Sequence, residues 1–238
     1  MSDQIRISEI FGPTIQGEGP LIGRPTVFVR TAGCDFRCTW CDTLYAVLPE
    51  YRHQWYFMTA QEIVERVDAL AGHQPVLVSL SGGNPAMQPL DSFIQIARSR
   101  GHSFALETQG SLHQPWFSEL DWLIVSPKPP SSQMAAEWTA VKACVAAAGQ
   151  RTQCALKIVV FDDADYAFAR DAARRFPETP LYLQTGNPTV ATQSEDADLP
   201  DLAARFRWLS EKVANDRWFG VHVLPQLHVL VWGNKRGV

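Results

Sequence analysis

The stretch Thr31-Ala-Gly-Cys-Asp-Phe-Arg-Cys-Thr-Trp-Cys-Asp-Thr43 follows a short apolar run and crowds Cys34, Cys38 and Cys41 into eight residues. Three soft thiolates at C-x3-C-x2-C spacing suit three irons of a [4Fe–4S] cube, because thiolate is the ligand such clusters take. A cube has four irons, so a three-cysteine site leaves one corner open to a substrate or cofactor. Structural zinc uses the same ligand types and would need a fourth donor from His53, Cys144, Cys154 or another histidine. Zinc spacings come as two separated pairs, whereas these three are bunched and no second pair follows. Spacing favours the cluster and leaves zinc open.

Outward from that loop, strand-like and helix-like stretches alternate. Residues 26–30 read as the strand before the cysteines. Thr59-Ala-Gln-Glu62 is a capping box, followed by Ile63, Val64, Val67 and Leu70 at helical spacing and Gly72 as a stop. Residues 76–80 form an apolar run typical of a strand buried on both faces. A helix over 90–100 and a strand over 103–107 come next. Further strands are expected at 122–125, 156–161, 181–183 and 220–224, with helices near 135–148, 164–176 and 199–213. Strand alternating with helix means right-handed crossovers and a parallel sheet, either a barrel or an open doubly wound sheet. Polar segments follow several strands: Ser81-Gly-Gly-Asn84, Glu107-Thr-Gln109, Ser126-Pro-Lys128 and Gln184-Thr-Gly-Asn187. Enzymes of this class gather their sites at the carboxyl ends of parallel strands.

With 46% hydrophobic and 19% charged content, the 238 residues can bury a substantial core without disulfide staples. Five cysteines, an odd number, point to a reducing compartment, and the cytoplasm is the expected location. No apolar run reaches the length of a membrane span, and a net charge of −4 offers no basic field for a phosphate backbone. Neither a membrane nor a nucleic acid is an expected partner.

The cysteine spacing, followed by a Gly-Gly turn after the next strand, resembles the radical S-adenosylmethionine superfamily, in which an aromatic such as Trp40 typically precedes the third cysteine. There the open iron is chelated by S-adenosylmethionine, and reductive cleavage yields a 5′-deoxyadenosyl radical. One departure is visible: the familiar Gly-Gly-Glu stands here as Gly82-Gly83-Asn84. An amide still accepts a hydrogen bond from the cofactor's ammonium but lacks charge, so the contact is weaker.

A longer series narrows the resemblance. Phe11-Gly-Pro-Thr-Ile-Gln-Gly-Glu-Gly19, Cys41-Asp-Thr43, Ser81-Gly-Gly-Asn-Pro85, Glu107-Thr-Gln-Gly110 and Ser126-Pro-Lys-Pro-Pro-Ser-Ser132 belong to it, with Leu224-Pro-Gln-Leu-His228 and Trp232-Gly-Asn-Lys-Arg-Gly-Val238. End to end the chain is similar to the 7-carboxy-7-deazaguanine synthases. The resemblance implies an α/β fold, an abbreviated parallel (β/α) radical S-adenosylmethionine barrel in a single domain, 1–238. Its cluster loop would be 31–43, and a C-terminal segment, 222–238, would close the site. The implied reaction converts 6-carboxy-5,6,7,8-tetrahydropterin to 7-carboxy-7-deazaguanine with loss of ammonia, on the route to queuosine and related deazapurines. A [4Fe–4S] cluster, S-adenosylmethionine and Mg2+ are the implied cofactors, a flavodoxin or ferredoxin the electron donor, and a homodimer the assembly.

Residue roles follow from the same resemblance. Cys34, Cys38 and Cys41 would hold the cluster, and Thr43 the magnesium. Ile15, Gln16 and Gly17 lie where the family reads the pterin, with Ser81, Gln226, His228 and Val238 as further substrate contacts. Arg30 would clamp the substrate carboxylate, since a guanidinium makes two parallel bonds to it. Trp40, Cys41, Asp42, Gly83, Asn84, Glu107, Ser126, Pro127, Lys128 and Gln184 would face S-adenosylmethionine, and Arg30, Thr43 and Lys128 carry the catalytic roles. Lys157, Cys144 and Cys154 read as structural.

Overall fold

The computed structural model describes residues 4–189 and 194–238. Among these residues nine strands form one sheet: β1 (Ile5–Ile15), β2 (Pro25–Thr31), β3 (Tyr56–Met58), β4 (Leu77–Gly82), β5 (Ser103–Thr108), β6 (Trp122–Val125), β7 (Gln153–Val160), β8 (Leu181–Thr185) and β9 (Val221–Leu224). Their order is β3-β1-β2-β4-β5-β6-β7-β8-β9. From β2 to β9 every neighbouring pair is parallel, so all those carboxyl ends share one rim.

The helices are α1 (Leu44–Val47), α2 (Ala60–Leu70), α3 (Asp91–Ser99), α4 (Trp138–Ala147), α5 (Asp163–Arg175), α6 (Leu199–Asn215) and α7 (Leu227–Trp232). α2 begins where the sequence places it. The Thr59 side chain accepts from the Glu62 N–H, and the Glu62 carboxylate accepts from the Thr59 N–H at 2.7 Å. Such a cap contributes about 1 kcal/mol.

Strand alternation sorts the side chains between two faces. Val27, Val29, Val78, Leu80, Phe104, Leu106, Leu123, Val125, Leu156 and Ile158 pack in the main core with Ile63, Val67, Phe93, Ile94, Tyr166, Ala169 and Leu209 of the helices. The alternate residues Phe28, Arg30, Ser79, Ser81, Ala105, Glu107 and Lys157 face a cavity on the other side. A small apolar cluster of Leu21, Leu77, Ala105 and Ile124 lies on that side too. Helices on one face and a cavity on the other make an open barrel, with β3 and β9 as its unjoined edges.

The N-terminal edge departs from the sequence reading. No strand is expected over residues 5–15, yet β1 runs as far as Ile15 and pairs antiparallel with both β2 and β3. Irregular register between Phe11 and Thr14 absorbs the Gly-Pro step. Among the described residues no helix is long and apolar enough to cross a membrane.

Candidate active site

The cluster loop leaves β2 and is seated against the end of β4 largely through backbone bonds, to which the Asn84 side chain adds one to Asp35. Gly83 N–H donates to the Thr31 carbonyl at 3.1 Å, and Asn84 N–H to the Gly33 carbonyl at 2.8 Å. A Cβ on Gly83 would lie 2.0 Å from the Gly33 oxygen, so no larger residue fits without parting the loop from the sheet. The Gly-Gly pair is therefore a docking surface for the cysteine loop.

Cys34, Cys38 and Cys41 are half-buried, free of disulfides, and line one wall of the cavity. No three His, Cys, Asp or Glu side chains among the described residues converge closely enough to hold a single metal ion. A mononuclear zinc site would need such a convergence. Burial, together with Asp35 and the neighbouring thiols, pushes the Cys34 thiol above its ordinary range; burial also raises Cys38 and Cys41. Three crowded thiolates need cationic ligands to be stable, which the irons of a cluster supply. Gln109 Nε2 lies 3.7 Å from Cys34 Sγ and donates to Asp35 at 2.6 Å, beside the first cysteine.

Next to this wall the cavity, about 270 Å³, is lined by Ile15, Gln16, Gly17, Arg30, Thr43, Ser81 and Glu107. Gln226, His228 and Val238 join them from the C-terminal segment. The Arg30 Nε donates to Glu9 at 2.7 Å, and no described residue takes a hydrogen bond from its two terminal amines. Its pKa is raised: burial opposes the charge, and Tyr45, Glu9 and Asp42 more than offset it. Gln16 has a fixed amide orientation, with Nε2 3.3 Å from Ser79 Oγ and Oε1 accepting from Gly17 N–H at 2.9 Å. Ser81 Oγ and Gln226 Oε1 are buried without a partner. An unmet buried polar atom costs about 1–3 kcal/mol, so a ligand that pairs with the Ser81 hydroxyl and donates to the Gln226 oxygen is favoured.

A charged triad runs beneath them. Lys157, 3% exposed, is ion-paired to Glu18 and, at 2.5 Å, to Glu107. Burial pushes the Glu18 carboxyl up, but Lys157, His228 and a 2.7 Å bond from Gln226 hold it at about 2. His228 packs on Gly17, where a Cβ would lie 2.1 Å from its Nδ1, and Leu227 N–H donates to the Gly17 carbonyl at 3.0 Å. The C-terminal segment is thus closed onto the 16–19 loop.

Residues 28–123 match the model of the radical SAM superfamily. Over 100% of both chains, the protein is 42% identical to 7-carboxy-7-deazaguanine synthase of Bacillus subtilis (strain 168). The Bacillus cereus protein of the same name is 40% identical over 99% of each chain. The chain belongs to the 7-carboxy-7-deazaguanine synthase family. A crystal structure of QueE from Escherichia coli covers 94% of this chain and 95% of its own, with a TM-score of 0.68 at 21% identity. That likeness bears on the fold, a radical S-adenosylmethionine barrel in abbreviated form.

Four residues that the family resemblance assigns to the cofactor do not line the cavity: Asn84, Ser126, Pro127 and Gln184. Asn84 is fully buried, and its amide is spent internally. Nδ2 donates to Asp35 and Ser111, while Oδ1 accepts from Thr108 and from Ala86 N–H. Gln184 joins Gly19 N–H to the Leu224 carbonyl, and Ser126 Oγ receives Lys128 Nζ at 3.1 Å. Trp40, Cys41, Asp42, Gly83, Glu107 and Lys128 do reach the wall. Sequence reasoning leaves out Glu18, Gln109 and Tyr45, and it takes Lys157 as structural although it lines the cavity. For Lys157 a signal existed, a lysine inside an apolar strand, which demands buried counter-charges.

Proposed function

We propose that this chain converts 6-carboxy-5,6,7,8-tetrahydropterin to 7-carboxy-7-deazaguanine with loss of ammonia, using a [4Fe–4S] cluster, S-adenosylmethionine and Mg2+. One observation carries the reading: the unmet groups of the cavity, Arg30's terminal amines, Ser81 Oγ and Gln226 Oε1, face a common space. They call for a ligand with a carboxylate at one end and N–H donors elsewhere, and the carboxypterin has both. Family membership at 42% identity over the full length supports the same substrate.

Cys34, Cys38 and Cys41 would hold the cluster, with Trp40, Asp42, Gly83, Glu107 and Lys128 as the wall nearest to S-adenosylmethionine. When bound, that pair would supply carbon-centred radical chemistry for hydrogen abstraction from the pterin. Arg30 fixes the carboxylate. Ile15, Gln16, Gly17 and His228 frame the fused ring, and the segment 222–238, ending at Val238, excludes water over a single domain, 1–238. Asn84, Ser126 and Gln184 act from behind the wall: Asn84 steadies Asp35, Ser126 anchors Lys128, and Gln184 holds Gly19.

Thr43, nearly buried and 3.6 Å from Cys41 Sγ, is the magnesium ligand in this reading. One neutral hydroxyl holds a hard cation weakly, so the ion binds together with substrate oxygens and water. Thr43→Ala is expected to raise the Mg2+ concentration for half-maximal rate roughly tenfold or more, with the cluster absorbance unchanged. An unaltered magnesium profile would remove Thr43 from the site.

A flavodoxin or ferredoxin donor, a homodimer and a cytoplasmic setting complete the proposal. Five unpaired thiols support the reducing compartment, and the open edge at β3, where Phe57 is 59% exposed, offers apolar surface for a second copy. Anaerobic turnover of the tetrahydropterin by the reconstituted protein, with product mass recorded against added Mg2+, tests the whole. A protein that carries its cluster yet leaves the pterin unchanged would overturn it.

A further inference from the structure

Glu9 stands directly opposite Arg30 across the antiparallel β1–β2 pair. Its Oε1 accepts from Arg30 Nε at 2.7 Å and from the Tyr45 hydroxyl at 2.8 Å, while Oε2 accepts from Arg236 Nε at 2.8 Å. The carboxylate is 13% exposed. Arg236 belongs to the tail 233–238, which lines the cavity. Its guanidinium lies 3.8 Å over the Tyr45 ring, and Nη1 reaches Gln54 at 3.3 Å. One carboxylate therefore binds a cation of the substrate wall and a cation of the closing segment.

We propose that Glu9 is a positioning residue that aims Arg30 and fastens the C-terminal strap, coupling carboxylate capture to closure of the site. The inference rests on the reading above, in which Arg30 takes the substrate carboxylate. A guanidinium bound through Nε has its plane fixed, and the edge left over is the one suited to a two-point carboxylate contact. The same bond prevents Arg30 from swinging out. Two guanidinium groups share one carboxylate, so Glu9 alone does not neutralise both, and Arg30 keeps its terminal amines for an anionic substrate. Without the Glu9 charge, Arg236 would face Arg30 unpaired, and repulsion would lift the tail.

The test uses the reconstituted, cluster-bearing enzyme under anaerobic conditions. Glu9→Gln keeps the shape and removes the charge. It is expected to raise KM for the carboxypterin about ten- to hundredfold, the worth of a charge-assisted bond, with kcat changed far less. It is also expected to speed trypsin cleavage after Lys235 several-fold, followed by intact mass. Glu9→Asp, which retains the charge, should recover part of both effects, and Arg236→Ala should speed cleavage with a smaller rise in KM. Tetrahydropterin lacking the 6-carboxylate should bind wild type and Glu9→Gln alike. Wild-type KM and cleavage in Glu9→Gln, alongside a raised KM in Arg30→Ala, would overturn the role of Glu9. An unchanged KM in Arg30→Ala would instead overturn the carboxylate reading of Arg30, and the aiming role with it.

Discussion

Cys38→Ala will yield a soluble protein that takes up little iron and sulfide on anaerobic reconstitution and converts no pterin. The three thiols sit on one well-anchored loop: Cys41 N–H donates to the Cys38 carbonyl at 3.2 Å, and Thr39 is tied to Ser131 and Ser132. The loop does not depend on the Cys38 sulfur for its shape, so the loss falls on the cluster and leaves the fold in place. Two thiolates grip only half the irons of a cube, and a cluster so held is lost. Iron and sulfide content, the visible absorption band and turnover should all collapse together. Cys154→Ala is the matching control. Burial pushes that thiol up to about 11 and keeps it inert, so its removal should leave cluster and turnover in place. Full activity in Cys38→Ala would end the cluster assignment.

How far the sequence carried this reading depends on the range of each interaction. The cluster loop, the capping box at Thr59–Glu62 and the alternation of apolar runs with helices are local patterns, and each stands where it is expected. Polar residues after β4, β5 and β6 share one rim because parallel strands leave them no other place. β1 carries no local signature of its length, because its continuation through Gly12 and Pro13 depends on partners in β2, more than ten residues away. Asn84 shows the other limit. Its composition suggests a neutral stand-in for a cofactor-facing carboxylate, but only the fold reveals that Asp35, Ser111, Thr108 and Ala86 use up its hydrogen bonds. Glu18 and Lys157 are 139 positions apart, and no periodicity relates them. Residues such as Arg30, Thr43 and Lys128 stand in motifs and line the cavity, whereas the layer that holds them in place is set by contacts far apart in the chain.

That hidden layer gives the second large effect. Lys157→Met will destabilise the protein by about 3–5 kcal/mol at neutral pH, because it strips the cation from two carboxylates while leaving them in place. Lys157 is 3% exposed and is the ion-pair partner of both Glu18 and Glu107. Its own pKa is raised, since Glu107 and Glu18 outweigh the burial that opposes its charge. The acid side fixes the sign of the pH dependence. Glu18 falls from an ordinary 4.5 to about 2 on folding, so its contribution is fully present above pH 4.5 and is lost as pH drops toward 2. In the variant, burial acts on Glu18 without Lys157 to oppose it, and the carboxyl rises. The stability gap between the two proteins should therefore be widest near pH 7 and narrow below pH 4.5. Urea unfolding across that range measures it, and a constant gap would show that Glu18 does not report on Lys157. Adding Glu18→Gln to Lys157→Met should recover part of the loss, since one stranded charge is gone. Glu18 also takes the Gln226 amide at 2.7 Å, so the single variant should loosen the C-terminal segment and weaken substrate binding before it unfolds. The lysine that the sequence assigns to structure would then be both: a buried counter-ion, and the floor on which the closing segment rests.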